Sequence, residues 1–130
     1  MIVVDASAML EILLNTPLAR AIFDQVFAPG QTIQAPHLMD VEVLQVLRRY
    51  ARTNTISASR AQEALMDYAD MPITRYPHHV LLPRMWELRH NFTAYDAAYV
   101  ALAEVLKAPL VTCDRALRSA SGHRAKILEF

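Results

Sequence analysis

Asp5 directly follows "IVV" and Asp114 directly follows "PLVTC", so two short apolar stretches each end on an aspartate before a helix-forming segment. A carboxylate in that place stands at the edge where open α/β sheets bind their ligands. Asp5, Ser7 and Asp114 can equally cap the helices that follow by accepting free N–H groups. The repeated junction says more than either copy, because adjacent parallel strands would carry both carboxylates to one edge. Asp96 lies three residues after Thr93 in "TAYDAAYVALA". With Thr93 as N-cap, Asp96 takes the third helical position, which suits a capping box as well as a carboxylate aimed off the helix end. Glu42, in "HLMDVEVLQVLRR", has Leu38 and Val46 one turn away on either side. A charge inside an apolar stripe is uncommon unless it is paired or bound to metal. A simpler account has Glu42 at the stripe's margin, reaching water or Arg49.

If Asp5, Glu42, Asp96 and Asp114 meet, their mutual repulsion favours protonation unless a cation joins them. An oxygen-only donor set suits Mg²⁺ or Mn²⁺. Such an ion polarises a phosphoryl oxygen and lowers the pKa of a bound water, and a pair of ions can clamp an in-line displacement. Phosphodiester hydrolysis is the natural chemistry, with no side-chain nucleophile required. Ser7, Thr93 and Thr112 lie close to these acids in sequence and could orient them. Arg115 could hold a substrate phosphate. Ordinary caps, strand hydroxyls and a surface arginine explain the same residues. Asp40, Glu11, Asp24, Glu63, Asp67, Asp70 and Glu87 read as solvated charges on helix exteriors.

Other chemistries have less support. The five histidines form no HExxH or HxxxH pair, and the one cysteine, Cys113, excludes a disulfide framework and reads as a buried small hydrophobe. Phosphatases with an aspartate after the first strand usually carry a second two residues later, where this chain has Ser7. Zero net charge advertises no global attraction for nucleic acid, but the cations are 11 Arg against 2 Lys, a bias toward groups that fork onto phosphate. A phosphodiester substrate approaching four acids would require arginines around the cleft. The most apolar helical stretch carries Glu104 and Lys107 and runs into Pro109, so no membrane span is expected, and the chain reads as a cytoplasmic protein.

The elements that must position these residues follow from the apolar pattern. "IVV", "TIQAP", "ITRY", "PLVTC" and "AKILEF" read as strands. Between them run two helices in residues 7–27, the second opened by Pro17, then helices after Pro36, after Ser57 or Ser59, after Pro83, from Thr93 and after Asp114. Over 130 residues this alternation predicts one α/β domain, three layers deep, with a mostly parallel central sheet.

Strand–Asp–x–Ser, then "PHLMDVEVLQVLRR", then "TAYDAAYVALAEVLKAPLVTCDRAL" resembles the PIN-domain ribonucleases, and within them the VapC toxins of toxin–antitoxin pairs. The resemblance spans nearly the whole chain, and the T-x-Y-D to T-x-D-x-x-L segment is its most specific part. It implies that Asp5, Glu42, Asp96 and Asp114 form a catalytic, metal-binding quartet, supported by Ser7 and Thr112, with Thr93 and Tyr95 leading into the third acid. It further implies a PIN-like domain over residues 1–130, Mg²⁺ or Mn²⁺, endonucleolytic cleavage of RNA, a homodimer, and a VapB-type antitoxin whose tail occupies the acidic groove. A PIN-like module that holds peptide or RNA without cutting it is the alternative.

Overall fold

A computed structural model describes all 130 residues. Five strands, β1 (Ile2–Val4), β2 (Ile33–Pro36), β3 (Ile73–Tyr76), β4 (Leu110–Thr112) and β5 (Ile127–Glu129), form one sheet in the order β3-β2-β1-β4-β5. Every pairing is parallel. The helices are α1 (Ala6–Leu13), α2 (Ala19–Val26), α3 (Leu38–Arg52), α4 (Ala58–Ala69), α5 (Leu82–Glu87), α6 (Ala94–Leu106) and α7 (Arg115–Ser119). The expected α/β/α architecture is thus present, with a sheet that is wholly parallel.

The direction in which strands are added to the sheet reverses beside β1. The chain builds outward through β2 and β3, then returns to place β4 on the other side of β1. The C-terminal ends of β1 and β4 are therefore adjacent at a topological switch point, where such sheets open a crevice. Register fixes the rest: Val4 pairs with Val111, and the Asp5 N–H continues the ladder by donating to the Val111 carbonyl at 3.1 Å. Asp5 consequently stands beside Thr112.

Burial explains the apolar runs. Ile2, Val3 and Val4 are fully enclosed, as a central strand covered on both faces must be. Helix α6 packs across β1, β2 and β4, and its seven consecutive residues Ala97–Ala103 are all buried. Its alanines allow the close approach that an internal helix needs. Helices α1 to α4 form a second contiguous group, with α1 packed on α2, α3 and β4. In β2, Gln34 is buried but satisfied, donating to Thr32 Oγ1 at 2.9 Å and accepting from the Tyr76 hydroxyl at 2.7 Å. No helix is long and apolar enough to cross a membrane.

Several local readings need correction. Pro17 lies in the turn two residues before α2 rather than inside it. The helix after Pro83 is short: α5 ends at Glu87, and the Arg89 and Asn91 N–H groups bond to carbonyls three residues back in tighter turns. Asp40 is no free surface charge. The Arg75 Nε–H of β3 is shared between both its oxygens at 2.8 and 3.0 Å, and the Tyr68 hydroxyl of α4 donates to it at 2.5 Å. Burial works to raise its pKa, but these bonds outweigh it and hold the carboxyl below the usual range.

Helix α5 is fastened to α6 by an ion pair with one buried member. Arg84 donates to Glu104 at 2.8 and 3.0 Å, and the Glu104 side chain is only 6% exposed. Arg84, with the Arg124 N–H, holds the Glu104 carboxyl below its ordinary pKa. That contribution to stability is complete above the unfolded-state value of about 4.3 and is lost as pH falls through the lowered one. Arg84→Met, which strands a buried carboxylate, is expected to cost about 3 kcal/mol at neutral pH by denaturant unfolding. Adding Glu104→Gln should recover part of that loss, and the single variant's deficit should shrink in acid.

Candidate active site

Asp5 is 5% exposed and ends β1 as the N-cap of α1, where its Oδ1 accepts the Ala8 N–H at 3.0 Å. The same oxygen accepts the Ser7 hydroxyl at 2.6 Å, and Oδ2 accepts the Thr112 hydroxyl at 2.5 Å. Each hydroxyl is itself held by the β4–α7 junction. The Cys113 N–H donates to Ser7 Oγ and the Asp114 N–H donates to Thr112 Oγ1, both at 2.9 Å. Two backbone donors of one strand end are thereby relayed through two hydroxyls onto both oxygens of the neighbouring strand's carboxylate. Burial raises the Asp5 pKa, the three hydrogen bonds pull against that rise, and the Asp114 charge adds to it.

Asp114 caps α7 by accepting the Ala116 N–H through Oδ1 at 2.9 Å. Thr93 caps α6, its Oγ1 accepting the Asp96 N–H at 3.2 Å, which sets Asp96 in the first turn. Glu42 projects from α3 and accepts the Tyr99 hydroxyl at 2.6 Å. Asp5, Glu42, Asp96 and Asp114 all line one cavity of about 350 Å³. Capping and site-lining are therefore compatible roles, and Asp5 and Asp114 perform both. Burial raises the Glu42 and Asp96 pKa values, and the neighbouring acids raise them further: Asp5 and Asp96 act on Glu42, Asp114 and Asp5 on Asp96.

The other singled-out residues fall in three places. Ser7 lines the cavity and Thr112 lies buried beneath Asp5. Thr93 and Tyr95 are exposed and outside the lining. Arg115 also stays outside it, 3.7 Å from Glu129 and almost fully exposed. The arginine that does line the cavity is Arg49, beside Tyr50, Val46 and Leu10. Glu11, expected on a helix exterior, is a fifth acid of the lining, and its carboxylate accepts the Thr16 hydroxyl. Cys113 is half-buried, and burial pushes its thiol up to about 11; its backbone N–H is what serves the site. Tyr99, Glu11 and Arg49 each share a helix face with a residue already singled out: Asp96 three residues earlier, Ser7 four earlier and Glu42 seven earlier.

The donor set fits a hard divalent cation in kind, since every titratable group but Arg49 and the tyrosines is a carboxylate. Glu42 Oε2 and Asp114 Oδ2 accept no protein hydrogen bond. The acids line an open cavity; no three of them are gathered into a closed chelate.

A PIN-domain family model matches residues 2–122. Ribonuclease VapC9 of Mycobacterium tuberculosis is 46% identical over 114 residues, covering 88% of this chain and 86% of that protein. Ribonuclease VapC12 of the same organism is 39% identical over 127 residues, covering 98% and 97%. In fold, the crystal structure of VapBC2 from Rickettsia felis bound to a promoter DNA fragment superposes with a TM-score of 0.72 at 13% identity, over 99% of this chain and 98% of that one. Near-complete coverage by the family model, with relatives this similar end to end, makes the chain a member of the PIN-domain family, among the VapC ribonucleases.

Proposed function

We propose that this protein is a Mg²⁺- or Mn²⁺-dependent endoribonuclease that acts as the toxin of a toxin–antitoxin pair in the cytoplasm. The observation that carries the reading is the meeting of Asp5, Glu42, Asp96 and Asp114, from four separate segments, on one cavity at the sheet's switch point. The names of the VapC9 and VapC12 ribonucleases support the activity. The VapBC2 structure from Rickettsia felis and the fold likeness to a toxin–antitoxin complex from Klebsiella pneumoniae support a VapB-type partner. A homodimer is part of the same proposal.

A divalent cation held by Asp5, Asp96, Asp114 and Glu42 would supply Lewis acidity to the phosphoryl group and activate a water. The chain's own part is preorganisation. Ser7, Thr112 and the Ala8 N–H hold Asp5 in one orientation and favour its charged form against burial. Tyr99 fixes Glu42 by donating to its Oε1 and leaves Oε2 without a protein partner. Thr93 starts α6 so that its first turn delivers Asp96.

Asp96→Asn is expected to reduce RNA cleavage to background while leaving the fold intact. In chelator at neutral pH it should melt a few degrees above the unaltered protein, because one repelling charge is gone, and it should lose most of the Mn²⁺-induced rise in melting temperature. Full cleavage by this variant would overturn the site. Ser7→Ala, which removes one of the two hydroxyl relays, should weaken Mn²⁺ binding about 10–100-fold in calorimetric titration.

A further inference from the structure

The cavity changes character along its length. Along α3, Glu42 stands with Asp5 and Asp96, Val46 follows one turn on as an apolar step, and Arg49 and Tyr50 come last. Glu42, Val46 and Arg49 are four and then three residues apart on α3, so one stripe of that helix builds this sequence of surfaces. Arg49 is the arginine of the lining, yet its guanidinium lies within 4.0 Å of none of the five carboxylates there. It rests instead 5.5 Å from the centre of the Tyr50 ring. A guanidinium kept free beside an aromatic ring, across an apolar step from a phosphodiester-cutting centre, has the chemistry of a single-stranded nucleic-acid subsite.

We infer that Arg49 and Tyr50 form a subsite for a nucleotide flanking the scissile bond, with Arg49 forking onto its phosphate and Tyr50 stacking on its base. The inference rests on the ribonuclease reading and assigns the direction in which the RNA strand leaves the acids. Seven residues of helix separate Glu42 from Arg49 by about 10 Å. At ~3.4 Å per stacked nucleotide, the phosphate that Arg49 holds lies within about three nucleotides of the cut. Leu10 and Val46 then face the intervening sugar and base. The subsite also answers how an anionic strand tolerates the acids around Glu42: its grip lies two helical turns further along α3.

The test is binding of a 5′-fluorescein-labelled, mixed-sequence 12-nucleotide single-stranded RNA with Ca²⁺ in place of Mg²⁺, so that the strand is held and not cut, followed by anisotropy between 50 and 200 mM salt. Arg49→Ala should weaken binding about tenfold and flatten the log–log salt slope by about 0.7, the share of one phosphate contact. Arg49→Lys should restore the slope but only part of the affinity, because the charge returns without the fork. Tyr50→Leu should weaken binding fivefold or more without altering the slope. Arg48→Ala, one residue away and outside the cavity, is the control and should change little. Mn²⁺ binding should be the same in all four variants. An Arg49→Ala protein with unchanged affinity and slope, or one no different from Arg48→Ala, overturns the subsite alone. Absence of RNA binding by the unaltered protein overturns the subsite and the ribonuclease reading together.

Discussion

A carboxylate buried at the end of a central strand must be fully hydrogen-bonded, or its charge is too costly to keep. Asp5 meets that demand through Ser7, Thr112 and the Ala8 N–H, and the two hydroxyls are in turn oriented by N–H groups of residues 113 and 114. Each hydroxyl accepts from the backbone and donates to the carboxylate, so its dipole is aligned and cannot turn over without losing both bonds. The network welds the end of β1 to the β4–α7 junction. It also fixes Asp114 against Asp5, because the Asp114 backbone is itself one of the donors. A structural requirement and a chemical one are thus met by the same atoms.

The remaining acids are delivered by elements whose positions the core dictates. Helix α6 is internal along its central residues, and its N-terminus opens at the switch point, where Thr93 sets the first turn and Asp96 with it. Tyr99, one turn further, spans from this buried helix to Glu42 on α3 and sets the distance between the two helices at the cavity. Burial raises the Tyr99 pKa far above its usual value and Glu42 adds to the effect, so the phenol remains a hydrogen-bond donor at any working pH. Asp5, one Glu42 oxygen and one Asp114 oxygen are therefore held by fixed donors rather than left as free surface charge.

Much of this was legible in the chain because strand-end aspartates and a helix-first-turn aspartate have few places to point. Given "IVV" and "PLVT" as central strands, Asp5 and Asp114 needed only adjacency to meet, and the reversal of strand order supplied it. Glu42 was visible as a charge in an apolar stripe. What could not be read was set by long-range packing. Tyr99 looks like one more apolar residue of an alanine-rich helix until α3 is placed opposite it. Glu11 looks like a solvated helix charge until the cavity's outline is known. The choice of Arg49 over Arg115 depends on where α3 runs past the cavity and where α7 turns away toward β5. Local pattern also overestimated α5, since the apolar spacing after Pro83 continues beyond the point at which the chain tightens and turns.

The central claim is that this hydroxyl-braced pocket gathers a divalent ion among acids from four separate segments. Crystals soaked in Mn²⁺ and measured near the manganese absorption edge test it most directly. The account predicts an anomalous difference peak bounded by carboxylate oxygens of Asp5, Asp96 and Asp114, with Glu42 bound directly or through water. A map featureless there at millimolar Mn²⁺, or one whose strongest peak lies among other side chains, would contradict it.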